Sequence, residues 1–419
     1  MSGAVLHRKG FAGAAGGITV CPNTVLSVLI LTSLVFASYL GRNGVLVFLI
    51  AGLVLLARRP DRSRDELRDY WWLYLLPLWC ALSMLWSDHP DLSLRHGTQL
   101  VITFVIAVTL ASRLSPLVFL RVLFLALLVA GLASLLIGNV REDGIWIGIF
   151  ESKNYYAFTM VALVLCSFAL LADRIQPLLW RLAGLFGALL GLPQIMMAES
   201  AGAVIASVFV LAAALVMLRT HSLPPARRTA GLLKFCGAAL AMLLVALYFG
   251  DAILQFVVEV TGKDPSLTGR TDLWAAAIGE IGHAPLLGTG YRAFWVEGNS
   301  LAEQLWADFY IASKSGFNFH NLYLSNAVDI GLIGVFLHLM LLLPAFLLCT
   351  RWVMHAGGAP ALFCFMAVAF VLVLSMVEVP VFFEFNALTL MVLASLVYGL
   401  RASRELPQLQ RHGGARRRV

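Results

Sequence analysis

Residues 115–138 read SPLVFLRVLFLALLVAGLASLLIG, and runs of this kind decide the fold of the chain. Arg121 is the single charged side chain in this run. A helix needs roughly 20 consecutive, mostly apolar residues to cross the hydrocarbon core of a bilayer. The run therefore predicts a transmembrane helix.

The rest of the sequence repeats this pattern. Hydrophobic residues make up 60% of the chain and charged residues 13%, with a mean hydropathy of +0.86, which is too apolar for a soluble domain. The apolar runs predict an all-α polytopic integral membrane protein with about 12 transmembrane helices. The predicted spans are 24–41, 44–57, 70–87, 97–112, 115–138, 154–172, 182–198, 201–218, 235–250, 325–349, 359–377 and 385–400.

The basic residues test this count and orient the chain. If Arg8 and Lys9 are cytoplasmic, twelve spans place the C-terminus in the cytoplasm too. All but eight of the 30 basic residues then lie inside, in agreement with the positive-inside rule. The net charge of +7 thus reflects membrane orientation and predicts no nucleic-acid binding. The outer basic residues are Arg42, Arg95, Arg141, Lys153, Lys263, Arg270, Arg292 and Lys314.

This topology divides the chain into five segments. They are a cytoplasmic N-terminus (1–23), nine transmembrane helices (24–250), a large periplasmic loop (251–320), three further helices (321–400) and a basic cytoplasmic tail (401–419). We expect the first apolar span to be an anchor, because another span follows at once and no small-residue cleavage site stands out. The six cysteines lie in or beside apolar spans, a distribution that supports neither a disulfide framework nor a zinc site.

The segment 251–320 is the only long polar interruption of the chain. It reads as two amphipathic helices that cap the outer membrane face: Asp272 to Ile281, and a second helix opened by a capping box of Ser300 and Glu303. A glycine-punctuated turn, Leu286 to Tyr291, joins them. Long loops without a function are uncommon, so the loop is a candidate functional site.

Chemically competent polar residues gather on this outer side of the predicted topology. Taken singly, each has a simpler structural interpretation: arginine and lysine as interfacial anchors, His320 as a hydrogen-bonding residue, and the glutamates as solvated turn residues. Together they predict that the working face is outside. The residues are Arg95, Lys153, Asn154, Glu199, Ser200, Arg270, His320, Glu378 and Glu384.

Four strings in the second half of the chain are more specific in combination. They are Gly269-Arg270-Thr-x-x-Trp274, Pro285-Leu-Leu-Gly-x-Gly290, His320-Asn321-x-Tyr323-Leu324 and Gly331-Leu-Ile-Gly334. This combination resembles the O-antigen ligase and Wzy-type polysaccharide polymerase superfamily. Residues 86–95 and 150–154 resemble the earlier outer loops of that family, and 290–295 resembles exopolysaccharide polymerases of the ExoQ type.

The resemblance implies a GT-C-like membrane glycosyltransferase in the bacterial inner membrane. The donor would be a glycan on undecaprenyl pyrophosphate, and the acceptor another lipid-linked glycan or lipid A-core. In the family, the arginine matching Arg270 is assigned to the pyrophosphate and the histidine matching His320 to the acceptor. A guanidinium binds phosphate bidentately, and an imidazole can accept a hydroxyl proton near neutral pH.

Further residues are predicted to contact substrate in this interpretation. They are Arg95, Lys153, Asn154, Glu199, Ser200, Tyr291 and Asn321. The chain contains no Asp-x-Asp motif, so we expect no metal and no cofactor. Membrane lipid, a chain-length regulator and a flippase are the further candidate partners.

One position departs from the ligases of the family. In the turn Glu199-Ser200-Ala201, Ala201 stands where those ligases carry an arginine. A second pyrophosphate contact is missing or comes from elsewhere, with Arg95 and Lys153 as candidates. This departure favours a polymerase over a ligase.

Two other classes stay open. A transporter or flippase for lipid-linked glycan usually places polar groups near the membrane midplane, within internal repeats. The sequence has few ionisable groups in mid-span and no convincing repeat, which favours the transferase. A structural assembly partner would need neither Arg270 nor His320.

Overall fold

The computed structural model describes residues 21–224, 227, 228, 230 and 269–415, with side chains described as far as residue 405. Within these ranges the regular secondary structure is helical apart from an antiparallel hairpin, β1 (Asn139–Val140) and β2 (Trp146–Gly148). The predicted ninth span (235–250) and residues 251–268 of the predicted loop lie outside the described residues.

The helices follow the apolar runs of the sequence. The 3₁₀ turns Trp71–Tyr74 and Ser83–Leu85 flank the fifth helix. The α-helices in chain order are α1 Pro22–Val35, α2 Ala37–Leu40, α3 Arg42–Ala57, α4 Pro60–Asp69, α5 Leu75–Leu82, α6 Pro90–Arg113, α7 Pro116–Ile137, α8 Lys153–Ala172, α9 Leu178–Met197, α10 Ala201–His221, α11 Arg270–His283, α12 Ser300–Asp308, α13 Leu322–His355, α14 Ala359–Leu374 and α15 Ala387–Ala415.

Among the described residues, seven helices are long and apolar enough to cross a membrane. The pair α3 and α4, bent by 100° at its break, raises the number to eight if it counts as one span. Three further apolar segments are shorter: α1, α14 and Trp71–Leu85. The described part of the chain is therefore that of a multi-pass, predominantly helical membrane protein, and the count of twelve spans remains a prediction.

Small residues bring the central helices together. Gly184, Gly187 and Gly191 of α9 face α8, where a Cβ at Gly184 would lie 2.8 Å from the carbonyl oxygen of Ser167. Glycine spacing of this kind lets transmembrane helices approach closely. In the most apolar 18 residues of each helix, 78% are buried in α8 and 28% in α9, so α8 is central and α9 exposes an apolar face to its surroundings.

α13 is interrupted at Gly331, whose backbone is left-handed (φ 69°). Residues 285–290 satisfy the backbone groups that the interruption frees. The amides of Thr289 and Gly290 donate to the carbonyls of Val328 and Asp329, both at 2.8 Å, and Leu332 donates to Pro285 at 2.9 Å. The Pro285-to-Gly290 and Gly331-to-Gly334 strings are thus the two halves of one backbone joint.

α11 and α12 form a separate small core with the loop around them. Leu273, Phe294, Leu305, Trp306 and Phe319 are buried in it. Both predicted helices of this region are present. The predicted capping box is wrong by one residue: Asn299 is the N-cap of α12, and its side chain accepts from Leu301 at 3.2 Å.

Residues of the Gly-Arg-Thr-x-x-Trp string set the start of α11 and join this helix to Phe319. Gly269 has φ 76°, a left-handed conformation that favours glycine, and a Cβ there would collide with the Phe309 ring. The indole of Trp274 donates to the carbonyl of Phe319 at 2.9 Å. These contacts place Arg270, the first residue of α11, near the segment that carries His320.

Candidate functional site: two arginine–glutamate–histidine clusters

Arg270 and His320 are linked by a third residue, Glu378. Arg270 Nη2 lies 2.7 Å from Glu378 Oε1, and His320 Nδ1 lies 3.0 Å from Glu378 Oε2. Glu378 is buried, with 4% of its surface exposed. The interpretation of Glu378 as a solvated turn residue is therefore wrong: one carboxylate holds both predicted catalytic groups.

The backbone fixes His320 in an unusual conformation. Its φ is 48°, in the left-handed region that non-glycine residues seldom adopt, and its amide donates to Asn318 Oδ1 at 2.7 Å. The imidazole also packs edge-on against Phe317, with 5.9 Å between ring centroids. Strained backbone of this kind is concentrated at functional sites.

Asn321 connects this segment to the loop of Glu378. Its side-chain oxygen caps α13 by accepting from Tyr323 at 3.0 Å, and its amide donates to the carbonyl of Met376 at 3.1 Å. The amide of Leu322 donates to the carbonyl of Ser375 at 3.0 Å. The Asn321 side chain, predicted to contact substrate, is thus engaged in holding His320 and Glu378 in register.

The predicted contacts Asn154 and Ser200 meet beside this loop. Ser200 Oγ, in the turn between α9 and α10, donates to Oδ1 of Asn154 in α8 at 2.9 Å. A Cβ on Gly202 would lie 3.4 Å from Val377, the residue before Glu378. The turn at Ala201 therefore lies next to the Glu378 segment.

Three other predicted residues are not brought into the cluster. Arg95 is exposed in the second turn of α6, because this helix starts at Pro90, earlier than predicted. Glu199 is exposed at a left-handed turn (φ 46°), and Lys153 begins α8, half-buried. Within the described part of the chain, none of the three makes a side-chain hydrogen bond or ion pair.

A second cluster surrounds Glu384, in the same loop as Glu378. Glu384 Oε1 lies 2.8 Å from His96 Nδ1 and 3.0 Å from Arg292 Nη2. The buried Tyr291 hydroxyl donates to the carbonyl of Phe382 at 2.9 Å and lies 3.4 Å from Glu384 Oε2. Burial raises the pKa of Tyr291, so its hydroxyl stays a hydrogen-bond donor.

The environment of Glu384 favours its ionised form. Burial alone would raise the pKa of Glu384, but the hydrogen bond from His96 and the charge of Arg292 lower it to about 2. Sequence reasoning named neither His96 nor Arg292 as a site residue. Arg292 did fall within the string Gly290 to Trp295, which carried part of the family resemblance.

Both clusters lie at one end of the helix bundle, and a different polar network occupies the other end of α6. His96 and Arg113 are separated by about 25 Å along the helix, at 1.5 Å per residue. Arg113, only 2% exposed, pairs with Glu66 at 2.9 Å and thereby fastens α4 to α6. The Arg113–Glu66 network joins two helices and contains none of the predicted site residues.

Comparison with known proteins confirms the resemblance stated above. Residues 186–339 match the family model Wzy_C, described as O-antigen ligase. The chain is also 32% identical over 285 residues to the exopolysaccharide production protein ExoQ of Rhizobium meliloti (strain 1021). That match covers 66% of this chain and 65% of the relative, just under two thirds of its length. The matched region contains Arg270, the Pro285-to-Gly290 joint and His320.

Proposed function

We propose that the protein is a glycosyltransferase of the bacterial inner membrane. It transfers a glycan from undecaprenyl pyrophosphate to an acceptor hydroxyl at the periplasmic face, and so polymerises exopolysaccharide or O-antigen repeat units. The observation that carries this proposal is the cluster of Arg270, Glu378 and His320. Similarity to ExoQ and to the O-antigen ligase family supports the substrate class.

Glu378 fixes the tautomer of His320 that a general base needs. A carboxylate paired with a guanidinium accepts hydrogen bonds, so the imidazole donates to Glu378 through Nδ1–H. Nε2 is then the free, basic nitrogen. A carboxylate behind an imidazole fixes its tautomer and stabilises the imidazolium that forms on proton transfer.

Arg270 retains donor capacity for the leaving group. It uses one nitrogen, Nη2, on Glu378, and its side chain is 19% exposed, so further N–H groups remain for pyrophosphate oxygens. The guanidinium keeps its charge and its fork geometry throughout the reaction. Negative charge accumulates on the pyrophosphate as its bond to the sugar breaks, and Arg270 stabilises that charge.

The proposed step is a single substitution at C1 of the donor sugar. The acceptor hydroxyl oxygen forms a bond to C1 of the donor sugar, and the bond between C1 and the pyrophosphate oxygen breaks. The electron pair leaves on undecaprenyl pyrophosphate, beside Arg270. The hydroxyl proton passes to Nε2 of His320.

A ligase that transfers finished polymer to lipid A-core is the second candidate, favoured by the description of the matching family. Ala201, in place of the arginine of related ligases, favours the polymerase. The glycan phenotype of a deletion strain separates the two. Single repeats left on the lipid carrier indicate a polymerase, whereas full-length polymer accumulating on the carrier indicates a ligase. Normal surface polymer would contradict both.

A further inference from the structure

The loop between α14 and α15 carries two glutamates, and each of them binds one arginine and one histidine. Glu378 binds Arg270 and His320, and Glu384 binds Arg292 and His96. Both histidines use Nδ1, which leaves both Nε2 atoms without a role in these contacts. The second cluster thus repeats the residue types and the contacts of the first.

The side-chain contacts of the second cluster are not needed to hold its loop segment in place. Its segment is already fixed without the guanidinium: the amide of Tyr291 donates to Ser83 Oγ at 2.9 Å, and the amide of Arg292 donates to Asp329 Oδ2 at 3.2 Å. Arg292 itself has φ 63°, a strained conformation for a non-glycine residue. Its side chain is nevertheless 39% exposed and stacks 4.9 Å over the ring of Phe383.

The side chains of Arg292 and His96 meet at one point. Both bind the same oxygen of Glu384, so the guanidinium and the imidazole lie side by side. Arg292 contacts Glu384 through Nη2 alone, so the N–H groups of its other side-chain nitrogens remain available. A guanidinium beside an imidazolium, which donates from both of its ring nitrogens, suits a phosphate or carboxylate oxyanion. Glu384 holds the pair in place and stays ionised.

We infer that Arg292 and His96 form a second oxyanion subsite, which binds the acceptor substrate. This inference rests on the proposed function, since a polymerase handles two lipid-linked glycans and the Arg270 cluster accounts for one pyrophosphate. The oxyanion comes either from the phosphates of the acceptor lipid or from a carboxylate on its glycan. The subsite also supplies, from outside the turn at Ala201, a basic group that Ala201 itself cannot provide.

Binding to the full-length protein in lipid nanodiscs tests the subsite. The two probes are radiolabelled farnesyl pyrophosphate, for the lipid phosphates, and radiolabelled glucuronate, for a glycan carboxylate. If the oxyanion is a phosphate, the wild type binds two equivalents of farnesyl pyrophosphate, and Arg292→Gln and Arg270→Gln each lose a different one. If it is a glycan carboxylate, glucuronate binding weakens by about 10- to 100-fold in Arg292→Gln and is unchanged in Arg270→Gln.

Two further variants keep this test decisive. Arg141→Gln is the matched control, because Arg141 is exposed and paired with Asp143 in the β1–β2 hairpin, and it should bind both probes as the wild type does. His96→Asn leaves the Arg292–Glu384 pair intact and should weaken the same binding as Arg292→Gln. Binding of both probes that is independent of Arg292 and His96 overturns the inference. A loss of farnesyl pyrophosphate binding in Arg270→Gln alone would still support the donor site of the proposed function.

Discussion

His320 Nδ1 lies 3.0 Å from Oε2 of Glu378, a carboxylate 58 positions further along the chain. The same carboxylate binds Arg270 at 2.7 Å. The predicted base and the predicted pyrophosphate ligand therefore share one buried anchor. A change at Glu378 should affect both halves of the reaction, whereas a change at His320 should affect only proton transfer.

The first prediction concerns His320. General-base assistance contributes about 10²–10⁴ in rate, so His320→Ala should lower kcat by that order and leave donor binding largely intact. His320→Gln should not restore the rate, because an amide has no comparable basicity. Turnover and donor binding are measured on purified protein. Near-normal turnover in His320→Gln would mean that the ring only positions a substrate.

Glu378→Gln is the companion variant for this prediction. It keeps the size of the side chain but removes the charge behind the imidazole, and loss of such a partner of a catalytic imidazole costs up to about 10⁴-fold in kcat. Unlike His320→Ala, it should also alter donor binding, because Arg270 loses its ion pair. Identical effects of the two variants on both quantities would contradict the shared anchor.

The second prediction concerns Arg270. Arg270→Lys keeps the charge but loses the planar fork that binds phosphate through two nitrogens. We expect severe loss of activity with normal membrane insertion, which is followed by the yield of folded protein. Arg95→Ala and Lys153→Ala should weaken donor use if they replace the arginine absent at position 201. Wild-type activity in both would make these two residues interfacial anchors.

The third prediction concerns metal dependence. In the proposed mechanism Arg270 stabilises the leaving pyrophosphate, and the sequence has no Asp-x-Asp motif. Activity of the purified enzyme should therefore survive EDTA. Activity that stops with the chelator and recovers with magnesium or manganese would refute this mechanism.

The fourth prediction concerns topology. Lys314 lies in the loop after α12, with 44% of its side chain exposed, and the predicted topology makes it periplasmic. Lys314→Cys in a cysteine-free background should react with a membrane-impermeant maleimide in intact spheroplasts. A cysteine at exposed Arg64, on the predicted cytoplasmic side, is the control and should react only after lysis. The reverse pattern would invert the topology.

The fifth prediction concerns the joint at Gly331. A Cβ there would collide with the backbone of Leu286, and φ is 69°, so Gly331→Ala should lower the yield and the Tm of the folded protein. Gly298→Ala is the matched control: its φ is 93°, but a Cβ meets no atom within 4 Å. Tm values in detergent separate the two effects. Equal losses would show that the close contact with Leu286 is unimportant.

The sequence predicted the helices well because membrane burial leaves a long apolar signal. Eleven of the twelve predicted spans coincide with helices or short helical segments, and the remaining one lies outside the described residues. Interruptions were harder to predict. The break at Gly331 depends on hydrogen bonds from residues 285–290, which no local pattern around Gly331 encodes.

The residues that meet in the candidate site were predicted in part, for a related reason. Arg270 and His320 belong to recognisable strings, and the structure links them through Glu378. A turn glutamate reads the same in sequence whether it is solvated or buried between two partners, so neither Glu378 nor Glu384 could be assigned a role. His96 and Arg292 are almost 200 positions apart, and only the fold brings both to Glu384.

The joint at Gly331 also constrains how such proteins can diverge and be assembled. Until residues 285–290 dock, the interrupted helix leaves amide and carbonyl groups unpaired, and each such group costs several kcal/mol in hydrocarbon. Residues 285–290 and the interrupted helix α13 must consequently mature as one unit during biogenesis. Chimeras that exchange the loop between relatives should succeed only when residues 285–334 are inherited together, since crossovers inside that interval separate the hydrogen-bonding partners.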